Sequence, residues 1–303
     1  MSLLLFLLVQ TTIDQTLSHG DEARWSAIQR KVQEHNALNA FALFRDNGIE
    51  PVLIKGLAAA AFYPETVFRS SVDMDLAVCS EDFVKAKAVA RSLAANGLAI
   101  DLHRELRHLD TVDWQDLFEN SRSIDTGNGT YRVLRPEDHL RVLIVHWLTD
   151  GGGNKQRLWD IYYAVSNREP DFDWDRFLKS VSAKRRRWLV CTLGLAHRYL
   201  GLDLDGTPIA EEAADLPSWL TKRVEYEWAR KDKNEPLEVV LSDRNKLFHQ
   251  IALRFDQNPI WATVQMEGSF DARTRLFYKI GNFFHRIPSS LRRVGRELVN
   301  RSK

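Results

Sequence analysis

The spacing of apolar and polar positions changes several times along the chain, and each change marks an element. Residues 22–46 carry Trp25, Ile28, Val32, Phe41 and Phe44 at helical spacing, with Gly48 as the stop. Pro51-Val52-Leu53-Ile54 is a short apolar run read as a strand, and Lys55-Gly56 leads from it into an Ala-rich helix over Leu57 to Tyr63. From Ser71 to Val78, Val72, Met74 and Leu76 alternate with Ser71, Asp73 and Asp75, the period of two that predicts a strand. Glu81 to Asn96 reads as a helix closed by Gly97, and Leu98 to His103 as a further strand. Two or three weaker strands fit between Arg107 and Val133.

At Pro136-Glu137-Asp138 the pattern turns helical, with Pro early and acids against the helix dipole. It stays helical to the end, apart from breaks at Gly151-Gly152-Gly153-Asn154, Glu169-Pro170, Gly201 to Pro208 and Pro259. The expected organisation is an α+β core in residues 1–134, with N-terminal helices and a short mixed sheet, followed by a mostly helical domain in 135–303. The length of 303 residues suits that division.

Composition narrows the classes. Lys and Arg number 42 against 41 Asp and Glu, which argues against a polyanion-binding protein overall. Two cysteines, Cys79 and Cys191, make a disulfide scaffold or a thiolate zinc site a poor fit and point to a reducing compartment. The apolar run Leu3 to Val9 has no basic residue before it and no small-residue cleavage site after it. It is also too short to span a bilayer and is read as a buried helix, which gives a cytoplasmic expectation.

Asp73, Asp75 and Asp101 carry the chemistry. On a strand, residues i and i+2 share a face, so Asp73 and Asp75 would lie about 7 Å apart. Like charges so placed raise each other's cost, and a divalent cation removes it. Carboxylate oxygens are hard ligands suited to Mg²⁺, which keeps water and substrate phosphate in the rest of its shell. Asp101, between Ile100 and Leu102, reaches the same place if its strand lies beside the first. Three carboxylates from two strands suit two-metal phosphoryl or nucleotidyl transfer. A solvated polar strand face would show Asp-x-Asp as well. Upstream, Gly56 lets a ligand approach the backbone, Lys55 supplies a point charge, and Arg69 could offer a fork for phosphate oxygens. The plain alternatives are a solvated lysine and a structural arginine ion pair.

In order, Leu53-Ile54-Lys55-Gly56, Phe62-Tyr63-Pro64, Arg69, Val72-Asp73-Met74-Asp75-Leu76 and Ile100-Asp101-Leu102-His103 resemble the uncharacterised nucleotidyltransferase family of the DNA polymerase β-like superfamily. The resemblance covers roughly residues 25–165. Lys55-Gly56 stands where the wider superfamily has Gly-Ser. The resemblance implies a polymerase β-like core and a Mg²⁺-dependent enzyme transferring a nucleoside monophosphate, AMP from ATP above all, to a small-molecule, peptide or protein acceptor with release of pyrophosphate. Asp73 and Asp75 would bind both ions, and Asp101 would bind the catalytic ion and accept the acceptor's proton. Lys55, Gly56 and Arg69 would hold the phosphates. Arg157-Leu158-Trp159-Asp160-Ile161 resembles a recurrent family feature. Asp160 would position Lys55, Arg69 or the nucleotide, or else make a helix-packing ion pair.

His103 either touches substrate or hydrogen-bonds Asp101. His146, in an apolar run seven residues after His139, reads as a satisfied core histidine. From Asp271 to Lys303, nine basic residues face two acidic ones, a net charge of +7, with Phe277, Ile280, Phe283, Phe284 and Ile287 interleaved at helical spacing. Such a segment either packs as a final helix with a solvated basic face or lies weakly on anionic lipid. No nucleic-acid-reading element is recognisable. The competing functions are a non-catalytic nucleotide-binding or toxin–antitoxin component of the same fold, and a membrane-surface adaptor.

Overall fold

The computed structural model describes residues 19–65, 67–69, 71, 73–106, 112–230 and 257–285. The expected helix at Leu3–Val9 and the tail beyond residue 285 lie outside the described residues. The chain divides into two compact units, one of Met1–Val142 with Asn167–Phe172, the other of Leu143–Ser166 with Asp173–Lys303.

The first unit is built on helix α1 (His19–Asp46), strand β1 (Val52–Leu53), a four-residue turn of helix α2 (Leu57–Ala60), β2 (Met74–Val78), α3 (Phe83–Ala95), β3 (Ile100–Arg104), α4 (Trp114–Glu119), β4 (Arg122–Asp125) and β5 (Thr130–Val133). The sheet runs β3-β2-β1-β5-β4. β2 is parallel to β3 and antiparallel to β1, β1 is parallel to β5, and β4 and β5 form an antiparallel hairpin. Only the second half of α1 enters the core. Ala37, Ala40, Phe41 and Phe44 form its buried stripe, whereas Ile28 and Val32 are about half exposed. α1 closes on Gly48 at φ 67°, with the Ile49 amide donating to the Phe44 carbonyl at 3.0 Å.

The alternation read in the sequence sorts the two faces of the sheet. Leu53, Met74, Leu76 and Val78 pack with the α1 stripe and with Ala86, Val89 and Leu93 of α3. Val52, Ile54 and Ala77 turn the other way, against Leu106, Leu117 and Leu134. The Ala-rich segment is shorter as a helix than its composition suggests. After Ala60 the chain continues in turns, and Pro64 disfavours a helical Tyr63. β2 begins at Met74, three residues later than expected, with Asp73 in a bend before it. The first unit is completed by Asn167–Phe172, where the Asn167 side-chain amide donates to the Phe62 carbonyl at 2.6 Å and Glu169 pairs with Arg122 at 2.7 Å.

The division between the units falls within α5 (Pro136–Thr149), whose first two turns bury the Asp138–Arg141 ion pair. The second unit holds the rest of α5, α6 (Lys155–Ser166), α7 (Trp174–Lys179), α8 (Ala183–Leu200), α9 (Ala210–Ala214), α10 (Ser218–Ala229), α11 (Pro259–Gln265) and a helical segment over 276–285. α8 is its spine, buried from Trp188 to Ala196. Gly194 lets α9 approach closely: a Cβ there would fall 2.1 Å from the Ala213 carbonyl oxygen. The glycine break after α5 is pinned by side chains, with Asn258 donating to the Gly151 carbonyl at 2.8 Å and Trp228 to that of Gly152 at 2.9 Å. Among the described residues no helix is long and apolar enough to cross a membrane.

Candidate functional site

The site lies on the sheet face that carries Val52, Ile54 and Ala77. Because β2 and β3 are parallel and in register, Asp75 lies directly beside Asp101, and Ala77 beside His103. Strand alternation then puts Asp75, Asp101 and His103 on one face, and the small Ala77 leaves the imidazole room. Asp75 is nearly buried, His103 half-buried and Asp101 exposed, so the group runs from the sheet interior to solvent.

His103 Nε2 is 3.3 Å from Asp75 Oδ1 and 3.3 Å from Asp101 Oδ2. Both neighbours are carboxylate oxygens, so the tautomer protonated at Nε2 suits this position and donates to Asp75. The same Asp75 Oδ1 lies 2.5 Å from Lys55 Nζ, and Lys55 is itself buried. β1 delivers Lys55 to this point, since the Ile54 amide donates to the Asp75 carbonyl at 3.1 Å. Burial pushes the Asp75 carboxyl up, but the His103 hydrogen bond and the Lys55 charge outweigh it and hold the group below the usual aspartate range.

Gly56 sits at φ 60°, a left-handed conformation that disfavours side chains. Its carbonyl accepts from the Ala60 amide at 3.1 Å and from Arg69 Nη1 at 3.2 Å, so Arg69 fastens the loop. A Cβ at Gly56 would lie 3.1 Å from Ser71 Oγ. One helical turn has a small dipole, so an anion here would rely on the Lys55 charge and open backbone more than on α2.

The structure thus brings together Lys55, Asp75, Asp101 and His103, with Gly56 and Arg69 adjoining. Asp73 stands apart. It is exposed, its carbonyl accepts from Ser71 Oγ at 2.8 Å, and it lines a pocket with Ser71, Leu57 and Gln33 and Asn36 of α1. Asp160 is buried on α6 in the second unit. His146, expected in a core, is half-buried with Nε2 2.6 Å from Arg157 Nη1, and Asp150 pairs with the same guanidinium.

The donor set suits a divalent cation. Asp75, Asp101 and His103 offer two carboxylate oxygens and a ring nitrogen within 4.8 Å of one another. Mg²⁺ would take the two carboxylates and fill its shell with water, whereas Mn²⁺ would accept the imidazole as well. Either ion would displace the Nε2 proton's hydrogen bonds and compete with Lys55 for Asp75.

A mixed α+β unit with a five-stranded sheet and this carboxylate pair fits a nucleotidyltransferase-like fold. The chain belongs to the uncharacterised nucleotidyltransferase family, whose profile matches residues 8–97 and 91–201. No curated protein matches the chain.

Proposed function

We propose that the protein is a cytoplasmic, Mg²⁺-dependent nucleotidyltransferase with a polymerase β-like core. It transfers a nucleoside monophosphate, AMP from ATP in the first instance, to a hydroxyl or phosphate oxygen of a small-molecule, peptide or protein acceptor. The observation that carries this reading is the pairing of Asp75 with Asp101 on adjacent parallel strands, with Lys55 2.5 Å from Asp75. Family membership supports the reaction class.

Asp75 and Asp101 would hold the catalytic ion, which when bound neutralises charge on the triphosphate. Asp73, exposed at the mouth of β2, is assigned to a second ion entering with the nucleotide. Lys55 would pass its ammonium from Asp75 to the β and γ phosphate oxygens, and the Gly56 backbone would let them approach. The acceptor oxygen bonds to the α-phosphorus as the bond to the pyrophosphate oxygen breaks. The exposed Asp101 takes the hydroxyl proton, and His103 holds its place between the two carboxylates until the ion enters. Positioning and charge neutralisation supply most of the acceleration.

The test is release of pyrophosphate from α-labelled nucleoside triphosphates in native lysate. The label should pass to an acceptor with the wild type and not with Asp75→Asn or Asp101→Asn. Equal labelling by the wild type and both variants overturns the proposal.

A further inference from the structure

The helical segment 276–285 is attached by the wrong side for an amphipathic helix. Its small and polar residues face the second unit. Gly268 lies under the Tyr278 ring, where a Cβ would meet it at 2.5 Å, and the Ser269 amide donates to the Tyr278 hydroxyl at 3.1 Å. Gly281 abuts Met266. Asn282, 1% exposed, donates to Gln257 Oε1 at 2.8 Å. Upstream, Arg275 donates to the Ser269 and Phe270 carbonyls and lies over the Trp219 ring.

The large apolar residues are left on the opposite side. Leu276, Phe277, Ile280, Phe283 and Phe284 are 58%, 74%, 46%, 37% and 64% exposed. At 3.6 residues per turn they fall within an arc of roughly 120°, a continuous stripe about 12 Å long. Among the described residues, the helix is fastened through a buried Asn–Gln hydrogen bond and leaves Phe277 and Phe284 largely exposed.

Charge selects what covers the stripe. Arg273 and Lys279 lie in or beside the segment, and the sequence that follows it, 286–303, carries six basic residues against one acidic. A second copy laid on the same stripe would bring two segments of net positive sequence together. An anionic bilayer satisfies both the apolar stripe and the cations. We infer that this face docks the protein peripherally on anionic lipid, with the five side chains entering the headgroup boundary and the basic residues meeting the headgroups. This inference does not depend on the proposed activity.

The experiment is co-sedimentation of the full chain with vesicles of phosphatidylcholine, with and without phosphatidylserine, at low and high salt. Phe277→Gln with Phe284→Gln removes the two most exposed rings, and an unchanged thermal midpoint shows that the variant folds. The wild type should sediment only with phosphatidylserine, should release in high salt, and should lose at least about tenfold in affinity in the double variant. No binding to either vesicle overturns the inference, as does equal binding by the variant. A concentration-dependent dimer abolished by the variant would make the occupant a second copy and overturn it too. RNA retention that the variant abolishes, without vesicle binding, would do the same.

Discussion

The two faces of the five-stranded sheet are made by neighbouring residues of the same strands and serve opposite ends. Met74, Leu76 and Val78 of β2 meet α1 and α3 in an apolar layer. Asp75, one position away, is as buried as they are yet carries a charge, held by Lys55 and His103. A desolvated carboxylate is costly unless paired, and a paired one adds little net stability compared with apolar residues of the same shape. The first face is shaped for folding, whereas the second gives up stability for a paired charge, one that the proposed reaction would use.

The sharpest break is to make the faces alike. Leu76→Asp puts an unpaired charge into the fully buried layer and should abolish cooperative folding, read by circular dichroism, while Leu76→Ala should cost about 3 kcal/mol in urea titration. Asp75→Asn keeps the shape and should leave a folded protein whose pyrophosphate release falls at least ~100-fold. Asp73→Asn, outside the buried cluster, should cost less, and a loss equal to that of Asp75→Asn would show that Asp73 swings into the same ion's shell. Lys55→Met should let Mn²⁺ alone bind roughly tenfold tighter by electron paramagnetic resonance, because a competing charge is gone, and should weaken triphosphate binding. The smallest effect is with pH. The folded Asp75 carboxyl lies below its unfolded value, so its contribution to stability is complete above about pH 4 and is lost as the pH falls through the folded value. In Asp75→Asn that part of the acid slope should disappear.

Much of the sheet was legible because alternation is a local signal. The placements of Asp75 and Asp101 follow from the period of two once their strands lie side by side. Neither the adjacency nor the register is written in either segment, since both depend on contacts distant in sequence. Asp73 shares the parity of Asp75, but β2 starts one residue too late to hold it on the sheet. The Ala-rich segment overstated its helix because composition signals propensity, whereas Pro64 and the turn geometry decide length. The place of His103 between two carboxylates is not readable in its own segment, because it depends on the neighbouring strand, where Ala77 lies beside it.

One feature of the chain's path bears on synthesis. The first unit takes in Asn167–Phe172, which follow α6 of the second unit. During translation the sheet therefore waits for a late visitor. Glu169 cannot meet Arg122, nor Asn167 the Phe62 carbonyl, until both further helices have left the ribosome. A nascent chain halted after β5 would carry Asp75 and Asp101 but lack the contacts that attach Asn167–Phe172 to the first unit.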